Sequence, residues 1–229
     1  MGLVCGIDEA GRGPLIGPIV LAGVLIEEEK AVELKKLGVK DSKLLTPSRR
    51  KALFGKIIAA AADYKIVIIP PEEIDEAVLG GKGGELNLNW LEADHSAAII
   101  SLLKPSPDKA IIDSPSNNCE AYKKHLQQLL RKIGFVKEIE LIVEHKADVN
   151  WPVVSAASIL AKVTRDEQIE KIKEFVVEDF GSGYLTDQKT VEFFEKYFNV
   201  YPDIFRKSWA TYKDKLTSKQ QRKLEDFDH

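Results

Sequence analysis

The succession of strand-like and helix-like segments along the chain leaves few folds open. Five apolar, β-branched segments have the length of strands: residues 3–8, 15–26, 64–69, 109–113 and 138–144. A turn rich in glycine separates the first two, which favours a hairpin, and a helical segment separates the last two, which favours a parallel crossover. We therefore expect an α/β fold with a mixed five-stranded sheet, antiparallel in its first half, parallel in its second and flanked by helices.

Helical spacing of apolar residues predicts the elements around this sheet. Thr46 followed by Pro47 has the pattern of an N-cap and a first helical residue, and we expect that helix to run to about residue 62. Further helices are predicted over residues 86–103, 117–133 and 153–180. From residue 184 onward we expect helices only.

Composition and charge exclude several classes of protein. A net charge of −3 and a pI near 5.9 argue against a protein that coats nucleic acid through bulk charge, but not against an enzyme with a local basic patch. Two cysteines are too few for a disulfide framework or a four-cysteine zinc site. No apolar run approaches the roughly 18–20 residues of a membrane helix, and the N-terminus lacks a signal-peptide pattern. We expect a cytoplasmic monomer with no membrane partner.

Acidic residues follow three of the predicted strands. Asp8 and Asp113 end the first and fourth strands, and Asp148 follows the fifth. Ligands and catalytic groups of open α/β sheets gather at the carboxyl ends of strands. Because side chains alternate along a strand, Asp8 and Glu9 cannot both face one site from regular strand, so we expect Glu9 to lie already in the turn.

Converging carboxylates repel one another, and hard divalent cations such as Mg²⁺ relieve that repulsion. Two such ions stabilise both the attacking and the leaving oxygen of a phosphoryl transfer. The functional interpretation of the acids is therefore a metal-dependent nuclease. The alternative is that each acid caps a turn or helix, or is solvated.

The glycine-rich turn after the first strand has two interpretations. Its glycines, Gly11, Gly13 and Gly17, do not match the dinucleotide-binding fingerprint, and no P-loop lysine is present. The turn can be an ordinary hairpin. It can also allow the backbone to approach a substrate closely, with Arg12 available to a phosphate.

The chain resembles the ribonuclease HII family in motifs that span nearly its whole length. The matching segments are 6–14 (GIDEAGRGP), 41–45 (DSKLL), 113–115 (DSP), 145–148 (HKAD), 152–166 (PVVSAASILAKVTRD), 181–184 (GSGY) and 206–209 (RKSW). The form of the 145–148 segment is similar to that of archaeal or eukaryotic members. The resemblance implies an RNase H-like sheet as the catalytic domain, residues 1–183, with a C-terminal helical region, residues 184–229.

The resemblance also implies an activity. Members cut the RNA strand of RNA–DNA hybrids, and cut 5′ of single ribonucleotides in duplex DNA, by two-metal-ion hydrolysis that leaves 5′-phosphate and 3′-hydroxyl ends. The implied cofactors are two divalent cations, Mg²⁺ or Mn²⁺. By motif, the catalytic and metal-binding acids are Asp8, Glu9, Asp113 and Asp148.

Substrate contacts carry over by motif as well. The backbone of Gly11, Arg12 and Gly13 is implied to read the ribose 2′-hydroxyl, and Tyr184 to stack on the sugar beyond the RNA–DNA junction. Leu185 and Gln188 stand where the family usually has proline. Lys43 and Lys146 are implied phosphate contacts.

Ser158, Lys162 and Arg165 share one face of the predicted helix over residues 153–180. The functional interpretation places these side chains near the substrate phosphate or the acids. The alternative is a surface ion pair between Lys162 and Asp166 that contributes little.

The C-terminal region carries two further patterns. Residues 206–223 include seven basic residues and one acid. This basic stripe could follow a duplex backbone, or it could be a solvated helix face. Gln221, Leu224 and Phe227 have the spacing of the peptide by which replication proteins bind the sliding clamp. A frayed amphipathic terminus is the alternative.

Two other classes of protein remain open. A phosphatase of the haloacid-dehalogenase type also begins with an aspartate at a strand end, but requires Asp-x-Asp, whereas Glu9 follows Asp8 here. A non-enzymatic nucleic-acid-binding module would use the basic stripe and leave the converging acids unexplained.

Overall fold

The computed structural model describes residues 2–39, 42–79 and 87–225, with residues 218–225 as backbone only. Five strands form one sheet in the order β3-β2-β1-β4-β5. They are β1 (Leu3–Ala10), β2 (Ile19–Glu27), β3 (Asp63–Ile69), β4 (Lys109–Asp113) and β5 (Glu140–Glu144). β2 pairs antiparallel with β1 and β3, whereas β4 pairs parallel with β1 and β5. The mixed α/β sheet that the sequence predicts is confirmed.

Nine helices are described along the same residues. They are α1 (Ala31–Lys36), α2 (Pro47–Ala60), α3 (Pro71–Leu79), α4 (Leu88–Leu102), α5 (Cys119–Lys132), α6 (Ala147–Asn150), α7 (Pro152–Phe175), α8 (Gln188–Tyr197) and α9 (Ala210–Glu225). Thr46 caps α2 as expected, because its hydroxyl accepts a hydrogen bond from the Arg49 backbone N–H. No helix in this part of the chain is long and apolar enough to span a membrane.

Two glycines let helices approach opposite faces of the sheet. A β-carbon on Gly6 would lie 2.4 Å from the carbonyl carbon of Val153 in α7, and one on Gly23 would lie 2.3 Å from Ile99 in α4. Gly6 pairs with Val24 and Gly23 pairs with Ile7, so the two glycines face opposite sides of the sheet. On β1, even-numbered positions therefore face α7 and odd-numbered positions face α4.

Some elements differ from the sequence prediction. The Pro70-Pro71 pair ends β3 as expected, but Pro71 also begins α3, since proline is tolerated in the first turn of a helix. The short helix α6 was not predicted. β2 begins at Ile19 rather than at residue 15, because Gly17 has a left-handed φ of 86° and the Leu15 N–H donates to Gly183 instead of to the sheet.

The described residues fall into two compact units. The first takes in those of Met1–Arg12, Pro18–Ile69 and Leu88–Gln168, and contains the sheet. The second takes in those of Gly13–Gly17, Pro70–Asn87 and Ile169–His229. A core of aromatic rings, among them Phe180, Phe193, Phe194 and Phe205, lies within this second unit. The functional division at residue 183 stays a prediction.

Candidate active site

Three of the predicted acids converge at the carboxyl end of the central strands. Asp8 lies on β1, Asp113 is the last residue of β4, and Asp148 lies in the first turn of α6. One carboxylate oxygen from each lies within 4.8 Å of the other two. β1 and β4 are parallel neighbours with Ile7 opposite Ile112, so the residues that follow these two meet at one edge.

A tight turn between β5 and α6 fixes two of these acids. Lys146 has a left-handed φ of 58°, and the backbone N–H groups of Lys146 and Ala147 both donate to the Asp113 carboxylate. The hydroxyl of Ser155 donates to the backbone carbonyl of Asp148. The same turn therefore orients Asp113 and places Asp148 beside it.

Glu9 lies in β1, opposite Leu21 of β2, and the expectation that it lies in a turn is wrong. The hairpin pairing with β2 continues through Ala10, so β1 extends past both acids. Strand alternation then places Asp8 on the α7 face of the sheet and Glu9 on the α4 face. Glu9 is not one of the three carboxylates within 4.8 Å of one another, yet its charge interacts with those of Asp8 and Asp113.

Burial and the charges of neighbouring carboxylates raise the pKa values of these acids. Burial raises the pKa of Asp8 well above its ordinary value, the charges of Glu9 and Asp113 add to this, and a hydrogen bond from Ser158 opposes it. Burial raises the pKa of Glu9 to about 8, with Glu92 adding to the effect and Arg12 opposing it. Burial also raises the pKa of Asp113. A cluster of this kind is stabilised by protons or by cations.

Ser158 lies against Asp8. It is buried on α7, hydrogen-bonds the Asp8 carboxylate, and lies 2.9 Å from the hydroxyl of Ser42, measured between the Oγ atoms. This contact orients Asp8 from the α7 face of the sheet. Lys43, next to Ser42, is exposed, and its positive charge partly opposes the rise that burial causes in the pKa of Asp113.

The other cations of α7 have different surroundings. Lys162 forms an ion pair with Asp166, with 2.6 Å between Nζ and Oδ1, as in the alternative interpretation. Arg165 is only 2% exposed and packs against Gly11, where a β-carbon would lie 2.3 Å from its Nε. The backbone of Gly11 has a φ of 90°. Arg165 thus packs directly against the backbone of the turn at Gly11.

Arg12 is held by two residues of α4 that sequence reasoning missed. Its guanidinium forms an ion pair with Glu92 and donates to Oδ1 of Asn89 at 2.6 Å. Glu92 is only 1% exposed. The signal in the sequence was an acid on the same helical stripe as Ser96 and Ile100, both of which are buried. A buried carboxylate on such a face requires a partner.

In the second unit, the chain around Gly13 lies beside the 181–184 segment. A β-carbon on Gly13 would lie 3.6 Å from Cε1 of Tyr184, and the Leu15 N–H donates to Gly183 at 2.9 Å. The indole N–H of Trp209 donates to the Gly13 carbonyl. Tyr184 is 38% exposed, so part of its surface is accessible to solvent.

The basic stripe is shorter than the sequence suggests. Arg206 is fully buried, donates from Nε to the Gly17 carbonyl and lies over the Trp209 ring, so its assignment to an exposed stripe is wrong. Lys215 forms an ion pair with Glu195. The side chains of Gln221 and Leu224, and all of Phe227, lie outside the described residues.

The sheet order and the acids at its carboxyl edge define the class of RNase H-like nucleases. The sequence model of the ribonuclease HII family matches residues 5–212. The ribonuclease HII of Pyrococcus furiosus is 45% identical over 209 residues, which cover 90% of this chain and 88% of that protein. Two solved structures are also similar to this chain.

The ribonuclease H2 of Pyrococcus horikoshii OT3 has a TM-score of 0.81 and 40% identity, and the match covers 93% of this chain and 96% of that one. The ribonuclease HII in the PCNA:RNase HII complex from Archaeoglobus fulgidus has a TM-score of 0.77 and 37% identity, covering 90% and 95%. The chain belongs to the ribonuclease HII family. It is a ribonuclease H, an endonuclease that acts on RNA–DNA hybrids.

Proposed function

We propose that this enzyme also cuts duplex DNA on the 5′ side of a single embedded ribonucleotide and leaves 5′-phosphate and 3′-hydroxyl ends. The observation that carries the proposal is the convergence of Asp8, Asp113 and Asp148 within 4.8 Å at the sheet edge. An acid cluster of this kind suits phosphodiester hydrolysis. The contiguous glycine turn suits recognition of a ribose.

The three clustered acids Asp8, Asp113 and Asp148 fit divalent cations, and two such ions, Mg²⁺ or Mn²⁺, are the proposed cofactors. Glu9, whose charge interacts with those of Asp8 and Asp113, is the proposed fourth ligand. The three clustered ligands are all carboxylates, the oxygen donors that hard cations prefer. The raised pKa values of Asp8, Glu9 and Asp113 support the assignment, because carboxylates crowded in this way require a positive partner. When bound, the ions supply the charge that activates the attacking water and stabilises the leaving 3′-oxygen.

The residues after β1 recognise the ribose. The backbone N–H groups of Gly11, Arg12 and Gly13 contact the 2′-hydroxyl, which DNA lacks. Two sets of contacts support this role for the backbone: Arg165 packs against Gly11, and Glu92 and Asn89 hold the Arg12 side chain against α4. The Arg12 guanidinium therefore orients the turn, and a phosphate contact is left to other cations.

Exposed groups at the rim contact the nucleic acid backbone. Lys43 and Lys146 are exposed and belong to segments beside Asp113, and they bind the phosphates that flank the cut. Lys162, which forms an ion pair with Asp166, is a further proposed contact to the substrate. Tyr184 stacks on the deoxyribose beyond the junction, and its position beside Gly13 and its exposure support this.

A sliding clamp is the proposed protein partner. The support is that a relative from Archaeoglobus fulgidus, 37% identical, has a solved structure as a PCNA:RNase HII complex. Gln221, Leu224 and Phe227 are the residues proposed to dock on the clamp.

The test uses end-labelled duplexes with one ribonucleotide, with a continuous RNA strand, and with DNA only. We expect cleavage of the first two with Mg²⁺ or Mn²⁺, a 5′-phosphate on the ribonucleotide, and no cleavage with excess chelator. Cutting of the all-DNA duplex, or an undiminished rate in chelator, would contradict the proposal.

A further inference from the structure

The charge of Arg12 acts on two carboxylates, Glu92 of α4 and Glu9 of β1. Arg12 forms an ion pair with Glu92, whereas Glu9 lies three residues earlier in the chain. Glu92 in turn acts on Glu9 with the opposite sign. The single cation thus has two acidic neighbours, one of which is a proposed ligand of the divalent ions.

The structure holds Glu92 firmly in place. Asn89 and Glu92 lie three residues apart on α4, so both reach Arg12 from one face of the helix. The backbone carbonyl of Glu92 accepts a hydrogen bond from the Ser96 hydroxyl at 2.7 Å. α4 itself is pressed against the sheet at Gly23. The acceptors of Arg12 therefore both belong to a helix that packs against the sheet.

We propose that Glu92 is a positioning residue that holds the Arg12 guanidinium away from Glu9, so that Glu9 stays available to a divalent cation. The inference rests on the proposed function, since it takes Glu9 as a ligand. Its physical basis is competition. A guanidinium and a divalent cation seek the same carboxylate oxygens, and in a half-buried place a carboxylate pairs with the nearest cation. The charge of Arg12 already acts on Glu9, so without the charge of Glu92 we expect the guanidinium to pair with Glu9.

The test measures Mn²⁺ binding to the metal-free 229-residue protein by titration calorimetry, with no nucleic acid present. Glu92→Gln keeps the shape of the side chain and removes its charge. We expect Mn²⁺ binding about tenfold weaker, equivalent to roughly 1.4 kcal/mol. The double variant Arg12→Gln/Glu92→Gln removes the competing cation too, and we expect binding within about twofold of the wild type.

Two further variants keep the result interpretable. Glu140→Gln removes a carboxylate charge at the opposite end of the sheet, where Glu140 pairs with Lys109 at the start of β4, and we expect it to bind Mn²⁺ as the wild type does. Arg12→Gln alone provides an arm that does not depend on the folding of the Glu92 variant. We expect it to bind Mn²⁺ at least as tightly as the wild type.

Wild-type binding in Glu92→Gln would overturn the inference, as would a double variant as weak as the single one or weakened binding in Arg12→Gln. A purely structural role for Glu92 predicts no rescue by a second charge removal. A wild-type protein that binds no Mn²⁺ would instead refute the metal centre of the proposed function, so the two failures are distinguishable.

Discussion

The side chain of Arg165 lies directly against Gly11, so closely that a β-carbon on Gly11 would come within 2.3 Å of Nε of Arg165. Gly11 also has a left-handed φ of 90°. The position is closed to other residues for two independent reasons, backbone conformation and space. The buried Arg165 side chain therefore restricts the backbone at Gly11.

Gly11→Ala is therefore expected to lower the free energy of unfolding by roughly 1–3 kcal/mol, through backbone strain and the clash with Arg165. Cleavage at a single ribonucleotide should fall far more than stability predicts, because the turn is displaced. Gly134→Ala is the matched control. Gly134 has a φ of 78° with nothing within 4 Å of an added β-carbon, so it carries the backbone strain alone. Equal activity losses in the two variants would contradict the role of the turn.

Asp8→Asn should abolish cleavage, with a loss of roughly a thousandfold or more in kcat. The asparagine has nearly the same shape and can keep the hydrogen bond to Ser158, so the fold should persist. Kinetics with Mg²⁺ and with Mn²⁺, alongside circular dichroism, check both points. Glu140→Gln serves as the charge control at the far end of the sheet. Substantial activity in Asp8→Asn with either metal would remove Asp8 from the site.

The stability of the metal-free protein should fall as pH rises from about 4.5 to about 8. The pKa of Glu9 is raised to about 8 in the folded protein, and that of Asp8 is raised as well, so the folded state binds more protons than the unfolded chain in this range. Raising the pH then favours unfolding. Chemical denaturation between pH 4 and pH 9, in chelator, measures the slope.

Glu9→Gln should flatten that slope and make the protein more stable than the wild type at pH 9, by roughly 1–3 kcal/mol, since a partly buried charge is removed. Saturating Mn²⁺ should reverse the order and favour the wild type. A Glu9→Gln variant that is less stable at every pH would show that Glu9 has a structural role instead.

Tyr184→Ala should lower kcat/KM at a single ribonucleotide by roughly 5- to 150-fold, because stacking on nucleic acid contributes about 1–3 kcal/mol. Tyr184→Phe keeps the ring and should stay close to the wild type. Leu185→Ala, at the neighbouring exposed position, is the control for disturbance of the segment. The stacking role fails if the phenylalanine variant is as impaired as the alanine variant.

The 229-residue chain should bind the proposed sliding clamp with micromolar affinity or better in calorimetry, and Phe227→Ala should abolish that binding. The reason is that Gln221, Leu224 and Phe227 have the sequence spacing of a clamp-binding peptide, in which Phe227 supplies the aromatic anchor. Lys219→Ala is a control that leaves the apolar pair intact. Binding that survives Phe227→Ala would place the contact elsewhere on the chain.

Much of the fold could be predicted because its signals are local. Each strand is a short apolar run, and Asp8 and Asp113 stand at the ends of two such runs that pair in parallel. The place of Glu9 could not be predicted, because it depends on how far β1 remains paired with β2, and hydrogen bonding between strands is not encoded in either strand alone.

The partners of the buried charged side chains could not be predicted from the sequence either. Glu92 and Arg12 are 80 residues apart, and nothing in either segment announces the other. Arg206 belongs by composition to an exposed basic stripe, but the fold buries it against Gly17 and Trp209. Arginine is read from sequence as a surface residue unless its partners are known.

The helix α7 contacts the first strand and the turn after it at three points. α7 contacts Gly6 through Val153, Asp8 through Ser158, and Gly11 through Arg165. From position 6 to position 11 the extended chain advances about 17 Å, and from 153 to 165 the helix advances about 18 Å. The two lengths agree, so the spacing of the three contacts along α7 matches their spacing along residues 6–11. A single residue inserted between Val153 and Arg165 would turn the later contact about 100° around the axis. Substitutions in this part of α7 can be accommodated. An insertion or deletion would prevent α7 from contacting Asp8 and Gly11 at the same time.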